Sequence, residues 1–445
     1  MLQTFKNAWK VQELRKKILF TLMIILLYRI GATLYVPFVN VELLSTLSSI
    51  TTGNIFQFLN TLSGNAFKNG TFFALSVSPY ITASIVMQLL TIAIPPLERL
   101  SKQGEAGKKK IAAYTRLVTV LLALLTAYGY VELLNSNGVL MVSKAEGGFY
   151  YFQLAVMMAC LCAGASLVMW LAEKINDHGI GNGISIILFA NIISDMGSQV
   201  ESMKSMIMNI YTNEFYTGWD LASGIIKIVV SLLIAILAVG LIVWFTNSER
   251  RIPIQYAKRV VGRKMYGGQS SNLPLKMNMA GVMPVIFASS IVSLPATIAS
   301  FIPNTGFGKF INNYFSYTSV AYIALFLILI FAFSYFYIMI SFNPVEVANN
   351  IKSNGGSVPG IRPGKPTTDY IKKVLNRVTL VGAVFLGVIA GVPMIANAIF
   401  EAFEISFTSI AFTGTSLLIV VGVALETVRE LEAQLSMRNY KGFLD

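Results

Sequence analysis

Few side chains in this chain could do chemistry, and the sequence does not gather them. His178 is the only histidine, so neither a histidine-based metal site nor an imidazole relay can be built; a surface loop is its expected place. Cys160 and Cys162 lie two apart within an apolar stretch, a spacing that matches no metal or redox motif. On a helix they point to different faces, and they read as packing residues. There is no P-loop, no HExxH, no Gly-x-Ser-x-Gly and no histidine to pair with a nucleophile. Gly179-Ile180-Gly181-Asn182-Gly183 is glycine-rich but lacks the strand-turn-helix setting of a nucleotide fingerprint, and reads as a tight turn leading into a helix. No catalytic residue, metal site or cofactor is expected, and the chain is not expected to be an enzyme.

The elements that would hold any site are membrane spans. Apolar residues make up 55% of the chain and charged ones 12%, against about a quarter in soluble domains. Ten apolar stretches stand near 18–36, 72–94, 111–134, 151–172, 183–198, 222–246, 279–301, 318–341, 373–396 and 405–427. The first is too long for a cleavable signal peptide and is followed by no small-residue cleavage site. All 21 acidic residues can be placed in loops or near span ends, which leaves nothing to relay protons. The polar residues within spans are uncharged: Thr82, Ser84 and Gln88 in the second, Ser289 and Ser290 in the seventh. Arg29 is the exception and is expected to brace a helix. The fifth span carries Asn191, Ser194 and Asp195, the mark of a helix lining a protein interior rather than facing lipid.

Lysine and arginine set the orientation. They crowd the segments before span one and after spans two, six and eight, so the positive-inside rule places those segments and both termini in the cytoplasm. Two basic loops, Phe245–Met277 and Asn343–Tyr370, are longer than connection requires. The first mixes Arg250, Arg251, Lys258, Arg259, Arg263 and Lys264 with apolar residues. The second sets Arg362 among glycines and prolines that bend and stiffen a loop tip. An always-charged guanidinium fork suits phosphate or carboxylate. Ribosomal RNA, an acidic protein or anionic lipid all fit that chemistry.

Between spans one and two, Gly53–Gly70 is too short to cross and too apolar for an ordinary external loop. It reads either as a re-entrant half-helix buried in the protein or as an amphipathic surface helix. Five plus five spans imply two inverted halves with a path at their interface.

Five strings of residues carry a family likeness through nearly the whole chain. They are Pro79-Tyr80-Ile81-Thr82-Ala83-Ser84-Ile85 with Gln88-Leu89-Leu90, and His178-Gly179-Ile180-Gly181-Asn182-Gly183-Ile184-Ser185. Further on stand Leu273-Pro274-Leu275-Lys276 with Asn278-Met279-Ala280-Gly281-Val282-Met283-Pro284, then Val358-Pro359-Gly360-Ile361-Arg362-Pro363-Gly364, then Gly414-Thr415-Ser416-Leu417-Leu418-Ile419-Val420-Val421. The chain resembles the SecY family, the channel subunits of the bacterial Sec translocon. That resemblance implies an all-α fold with an hourglass pore between two inverted five-helix halves. It implies a constricting ring at Val77, Ile81, Leu188, Ile192, Ile286 and Ile419. Around Gln57, Phe58, Leu59, Asn60, Leu62, Ser63 and Gly64 it implies a plug. Spans two and seven would form a lateral gate carrying Thr82, Ser84, Gln88, Ser289 and Ser290, where polar groups across a helix seam could hold it shut. Arg362, supported by Arg250, Arg251, Lys258, Arg259, Arg263 and Lys264, would dock the SecA motor and the ribosome.

The expected organisation is a cytoplasmic segment 1–17, an N-terminal half 18–198 with the plug near 53–70, an external linker 199–221, a C-terminal half 222–427 with the two basic loops, and a cytoplasmic tail 428–445. The expected function is conduction of unfolded secretory chains across a bacterial inner membrane, with sideways release of hydrophobic segments into lipid. SecE and SecG are implied partners, and ATP hydrolysis would belong to SecA. The alternative from a different class is a secondary transporter of a small solute, disfavoured by the lack of a mid-membrane acid or histidine to couple an ion.

Overall fold

The computed structural model describes residues 2–43, 55–141, 148–212, 218–256, 259–261, 264–266, 270–301, 319–402 and 414–441, with isolated positions between 306 and 315. The chain opens with α1 (Leu2–Lys10) and α2 (Gln12–Gly31), followed by a short helix α3 (Ile55–Ser63) and α4 (Ser78–Ala93). Then come α5 (Pro95–Ser101), α6 (Glu105–Ser136), α7 (Gly148–His178), α8 (Gly183–Thr212) and α9 (Gly218–Asn247). Four strands follow: β1 (Glu249–Tyr256), β2 (Arg259–Val261), β3 (Lys264–Tyr266) and β4 (Ser270–Lys276). The rest is α10 (Met283–Phe301), α11 (Val320–Ser341), α12 (Pro344–Ser353), β5 (Gly356–Ser357), α13 (Lys365–Ala402) and α14 (Gly414–Lys441).

The molecule is a polytopic helical membrane protein. Each of the ten expected spans falls largely on one of these helices, the last being described from Gly414 onward. Among the described residues, four helical stretches are long and apolar enough to cross a membrane: Glu105–Ser136, Gly148–His178, Val320–Ser353, which takes in α11 and α12, and Lys365–Ala396. Ser78–Ala93 joins Pro95–Ser101 at a bend of 105°. Pro95 and Pro96 force it, because neither can donate to the preceding turn. Capping sets other boundaries. Ser319 accepts from the Tyr322 amide to start α11, and Asn343 accepts from Val345 and Glu346 to start α12 with Pro344 in its first turn.

One expectation needs correction, and one element runs further than its apolar stretch. Helix α8 continues past 198 through Thr212 and helix resumes at Gly218, so much of the segment read as an external linker, 199–221, is helical. Asp195 lies within α8 and is buried. His178 is not in a loop; it is the exposed last residue of α7, its ring 5.8 Å from that of Phe20.

The basic loops also carry strands that an all-helical reading left out. β1 pairs antiparallel with β4, and Gln255 and Tyr256 pair with Ser357 and Gly356 of β5, so the sheet order is β4-β1-β5. Ile252 and Ile254 face inward while Arg251, Pro253 and Gln255 face out, the period-two alternation of a half-buried strand. The sheet thereby joins the two loops into one body whose apolar side rests on α12 and α13 through Ala348, Ile351 and Ile371.

The main core threads through both halves of the chain. It includes Ile24 and Tyr28 of α2, Ile81 and Ile85 of α4, Ile187 and Ile192 of α8, and Val285, Phe326, Leu386 and Leu418 further on. A second cluster lies among α6, α7 and the residues before α4, and Cys160 and Cys162 pack against it as free thiols.

Candidate functional site

The six aliphatic residues singled out by resemblance meet in one apolar cluster. Val77 is the N-cap of α4 and Ile81 lies one turn on; Leu188 and Ile192 are likewise one turn apart on α8. Ile286 comes from α10 and Ile419 from α14. All six are between 1% and 3% exposed and share the cluster with Leu62 of α3. Four helices distant in sequence thus bring together side chains with no hydrogen-bonding atom. Such a surface offers no ligand to an ion and excludes water when closed. Dispersion contact is non-directional, so the same surface can close around apolar or polar chain alike.

The half-helix is internal, which favours the re-entrant reading over the surface one. Leu62 and Ser63 of α3 are buried, Leu59 packs on the second cluster, and α3 lies against α8. Gln57 and Phe58 contribute helical backbone. The helix ends in a Schellman-type turn: the Gly64 amide donates to the Thr61 carbonyl at 3.2 Å and the Asn65 amide to Asn60 at 3.1 Å. Gly64 adopts φ +62°, and a Cβ there would stand 2.7 Å from the Arg29 guanidinium and 3.0 Å from Asn191 Cα. Glycine is therefore required for conformation and for space.

Around this turn is a polar knot. Asn191 Nδ2 donates to the Leu62 carbonyl at 2.7 Å, to Tyr28 Oη at 2.9 Å and to Ser76 Oγ at 3.2 Å. Ser76 Oγ also donates to the Leu62 carbonyl at 3.1 Å. Arg29 donates to the Gly64 carbonyl at 3.4 Å and to the Ala190 carbonyl, and so braces two elements as expected. Thr61 Oγ1 donates to Asp195 Oδ2 at 3.0 Å. Of the polar residues expected to line an interior on α8, Asn191 and Asp195 are buried while Ser194 is exposed. Sequence reasoning missed Tyr28 and Ser76. The available signal was a tyrosine beside a mid-span arginine, and a serine in the otherwise apolar run before α4.

Helices α4 and α10 pack against each other, so spans two and seven do form a seam. The expected polar bonds across it are not made. Thr82 donates to the Ser78 carbonyl, and Gln88 reaches Ser84 on its own helix. Ser289 and Ser290 both donate to the Ile286 carbonyl. In an apolar environment a hydroxyl finds its nearest acceptor, which is the carbonyl three or four residues back. At one end of the seam is a cavity of about 70 Å³ lined by Leu59, Leu62, Thr82, Leu122, Ser293 and Leu294 among others.

On the basic face, Arg250, Arg251 and Arg362 are exposed. Arg251 Nε lies 3.7 Å from Glu249 Oε2. Val358 to Ile361 form a turn closed at 3.0 Å, with Pro359 second and Gly360 third at φ +78°, the pattern of a type II turn. Ile361 packs beside Val358 and Ile252, and Thr367 Oγ1 donates to the Arg362 carbonyl at 2.9 Å. The backbone of Arg362 is therefore fixed while its side chain reaches into solvent. Arg259 and Lys264 lie on β2 and β3, and Lys258 and Arg263 lie outside the described residues. At the end of α5, the C-cap Lys102 donates from Nζ to Glu98 Oε1 at 2.6 Å and holds that carboxyl below its usual range.

The glycine-rich string is the expected turn. Gly181 has φ +79°, Asn182 Oδ1 accepts from the Ile184 amide at 3.1 Å, and Asn176 Oδ1 accepts from Gly183 at 2.7 Å. A Cβ on Gly183 would stand 2.0 Å from the Ala172 carbonyl oxygen, so α7 and α8 cross too closely for any side chain there. Among the described residues no group of histidine, cysteine and acidic side chains could hold a metal.

The family model for SecY matches residues 71–428. The protein translocase subunit SecY of Streptomyces coelicolor is 44% identical over 452 residues, covering 100% of both chains. That of Mycobacterium tuberculosis is 41% identical over 458 residues, again covering 100% of both. The chain belongs to the SecY family. Solved structures agree on the SecY fold. One described as "The structure of a protein conducting channel" superposes with a TM-score of 0.61 at 18% identity, over 94% of this chain and 92% of that one. Another, of Sec61 in the canine ribosome-channel complex from the endoplasmic reticulum, gives 0.57 at 16% identity over the same shares. A third, 0.60 at 18% identity, is described in terms of a SecY plug domain that stabilises the closed state of its channel.

Proposed function

We propose that this chain is the pore-forming subunit of the general protein translocase of a bacterial inner membrane. It conducts unfolded secretory chains outward and releases hydrophobic segments sideways into lipid. The observation that carries the reading is the convergence of six aliphatic side chains from four helices on one cluster, with an inserted half-helix packed into it, in a chain 44% identical over its full length to a translocase subunit.

In this reading Val77, Ile81, Leu188, Ile192, Ile286 and Ile419 are the ring, and residues 57–64 are the plug. Helices α4 and α10 part to form the lateral gate, and both termini are cytoplasmic. The N-terminal half is 18–198 and the C-terminal half 222–427. A signal sequence opens the gate by binding the parted state better than the closed one. Because the gate serines and threonine bond within their own helices, apolar packing holds the seam, and an apolar signal sequence can replace that packing like for like. Arg362 and the sheet-borne arginines form the docking face for the SecA motor and for the ribosome. The motor supplies ATP hydrolysis, and SecE and SecG complete the heterotrimer. None of the matching proteins described above is a solute transporter, and Asp195, the one buried acid beside the half-helix among the described residues, accepts a hydrogen bond from Thr61.

The test is site-specific crosslinking. A cysteine at Ile286 is paired with a cysteine in a stalled secretory chain, in the presence of purified motor and ATP. A crosslink that requires both motor and signal sequence is expected. Its absence in a folded, partner-bound preparation would overturn the reading.

A further inference from the structure

The Schellman-type turn satisfies the carbonyls of Asn60 and Thr61 from within the half-helix itself. The Ser63 carbonyl takes the Ala66 amide at 3.4 Å, and the two that remain at that end, Leu62 and Gly64, are taken by the surrounding wall: Leu62 by Asn191 and Ser76, Gly64 by Arg29. The end of a helix carries partial negative charge, so a guanidinium there is favoured over a neutral donor. The wall groups come from three separate stretches of chain, and Tyr28, Ser76 and Asn191 are at most 3% exposed.

We propose that Arg29, Ser76 and Asn191 are a latch: positioning residues that hold the half-helix against the waist by capping the two carbonyls its own turn leaves open, and that thereby set how often the resting channel opens. The proposal rests on the pore and plug reading above. The capping is one-sided. Asn191 directs its amide donors to three acceptors, while its own buried Oδ1 has no partner. An unpaired buried acceptor offsets part of what the donors gain, and so keeps the latch weak enough to release. Displacing the half-helix breaks the Leu62, Gly64 and Thr61 bonds together, and water replaces them once the pore is wet.

The experiment measures resting ion conductance of the purified translocase, with its partner subunits, in planar bilayers. Asn191→Leu and Arg29→Leu are each expected to raise it on the order of tenfold. Arg29→Lys, which keeps a charge and a donor, should restore most of the seal. In a channel lacking residues 55–63 the same substitutions should add nothing further, an outcome that a general loss of packing would not give. If the leucine variants fail to assemble, Ser76→Ala removes a single latch hydroxyl and serves in their place. Wild-type conductance in the substituted channels, with a raised value in the channel lacking the half-helix, overturns the latch. Unchanged conductance on removing the half-helix overturns the plug reading beneath it.

Discussion

Replacing Ile419 by asparagine would put an amide into a cluster where the aliphatic side chains provide no partner, at a cost of about 1–3 kcal/mol while the site stays dry. Wetting the constriction relieves that cost. The expected outcome is a higher ion leak and looser discrimination between strong and weak signal sequences, both read in reconstituted vesicles. Unchanged leak and unchanged selectivity would mean that Ile419 does not face a pore. Arg362→Glu tests the other face. Its backbone is held by the Val358–Ile361 turn and the Thr367 bond, neither of which uses the side chain, so the variant should fold and insert normally. Motor-driven export should be abolished because the charge at the contact is inverted. Normal export by a membrane-inserted variant would remove Arg362 from the docking face. At this scale the sequence was informative about type and silent about partners. Arg29 is visibly out of place in an apolar span, but its acceptors, the carbonyls of Gly64 and Ala190, are backbone atoms that any residues could supply.

Two predictions belong to whole elements. Replacing both Ser289 and Ser290 by alanine removes hydroxyls that bond only to the Ile286 carbonyl of the same helix. Gate opening, read as the signal-sequence dependence of export, should change by less than twofold; a large change would mean that these hydroxyls act across the seam. Gly356→Val concerns the sheet. A Cβ there would stand 2.9 Å from the Tyr256 ring and 3.1 Å from Ile254 and Ile351. The strand pair β1–β5 should open and uncouple the two basic loops. Motor stimulation should fall while membrane insertion persists, and faster proteolysis within 343–370 would report the loss of pairing. The alternation of Ile252 and Ile254 with polar neighbours was legible in the sequence. The partner of that strand was not, because Gly356 and Ser357 lie about a hundred residues away and two residues carry no period.

For the whole molecule, net charge decides how it meets its partners. The chain carries a formal +13, and the orientation rule assigns most of that excess to one face. Ribosome binding should therefore weaken linearly in log affinity against log salt. Arg250→Ala with Arg251→Ala should reduce the slope by about one per charge removed. A slope unaffected by both substitutions would place the contact elsewhere. The sequence by itself determined that the chain is a polytopic helical membrane protein, and where its apolar stretches and basic loops lie. Those properties depend on the transfer of local segments into lipid, and each segment carries its own term. Its motif strings, through the family resemblance, also singled out the six aliphatic residues. Tertiary structure decided that these six share one cluster, that Asn60–Gly64 is tied to α2 and α8, that Ser289 and Ser290 bond within their own helix, and that one three-stranded sheet joins the two basic loops. Each of those depends on which distant backbone carbonyl or apolar face lies nearest, and that follows only once the helices have packed.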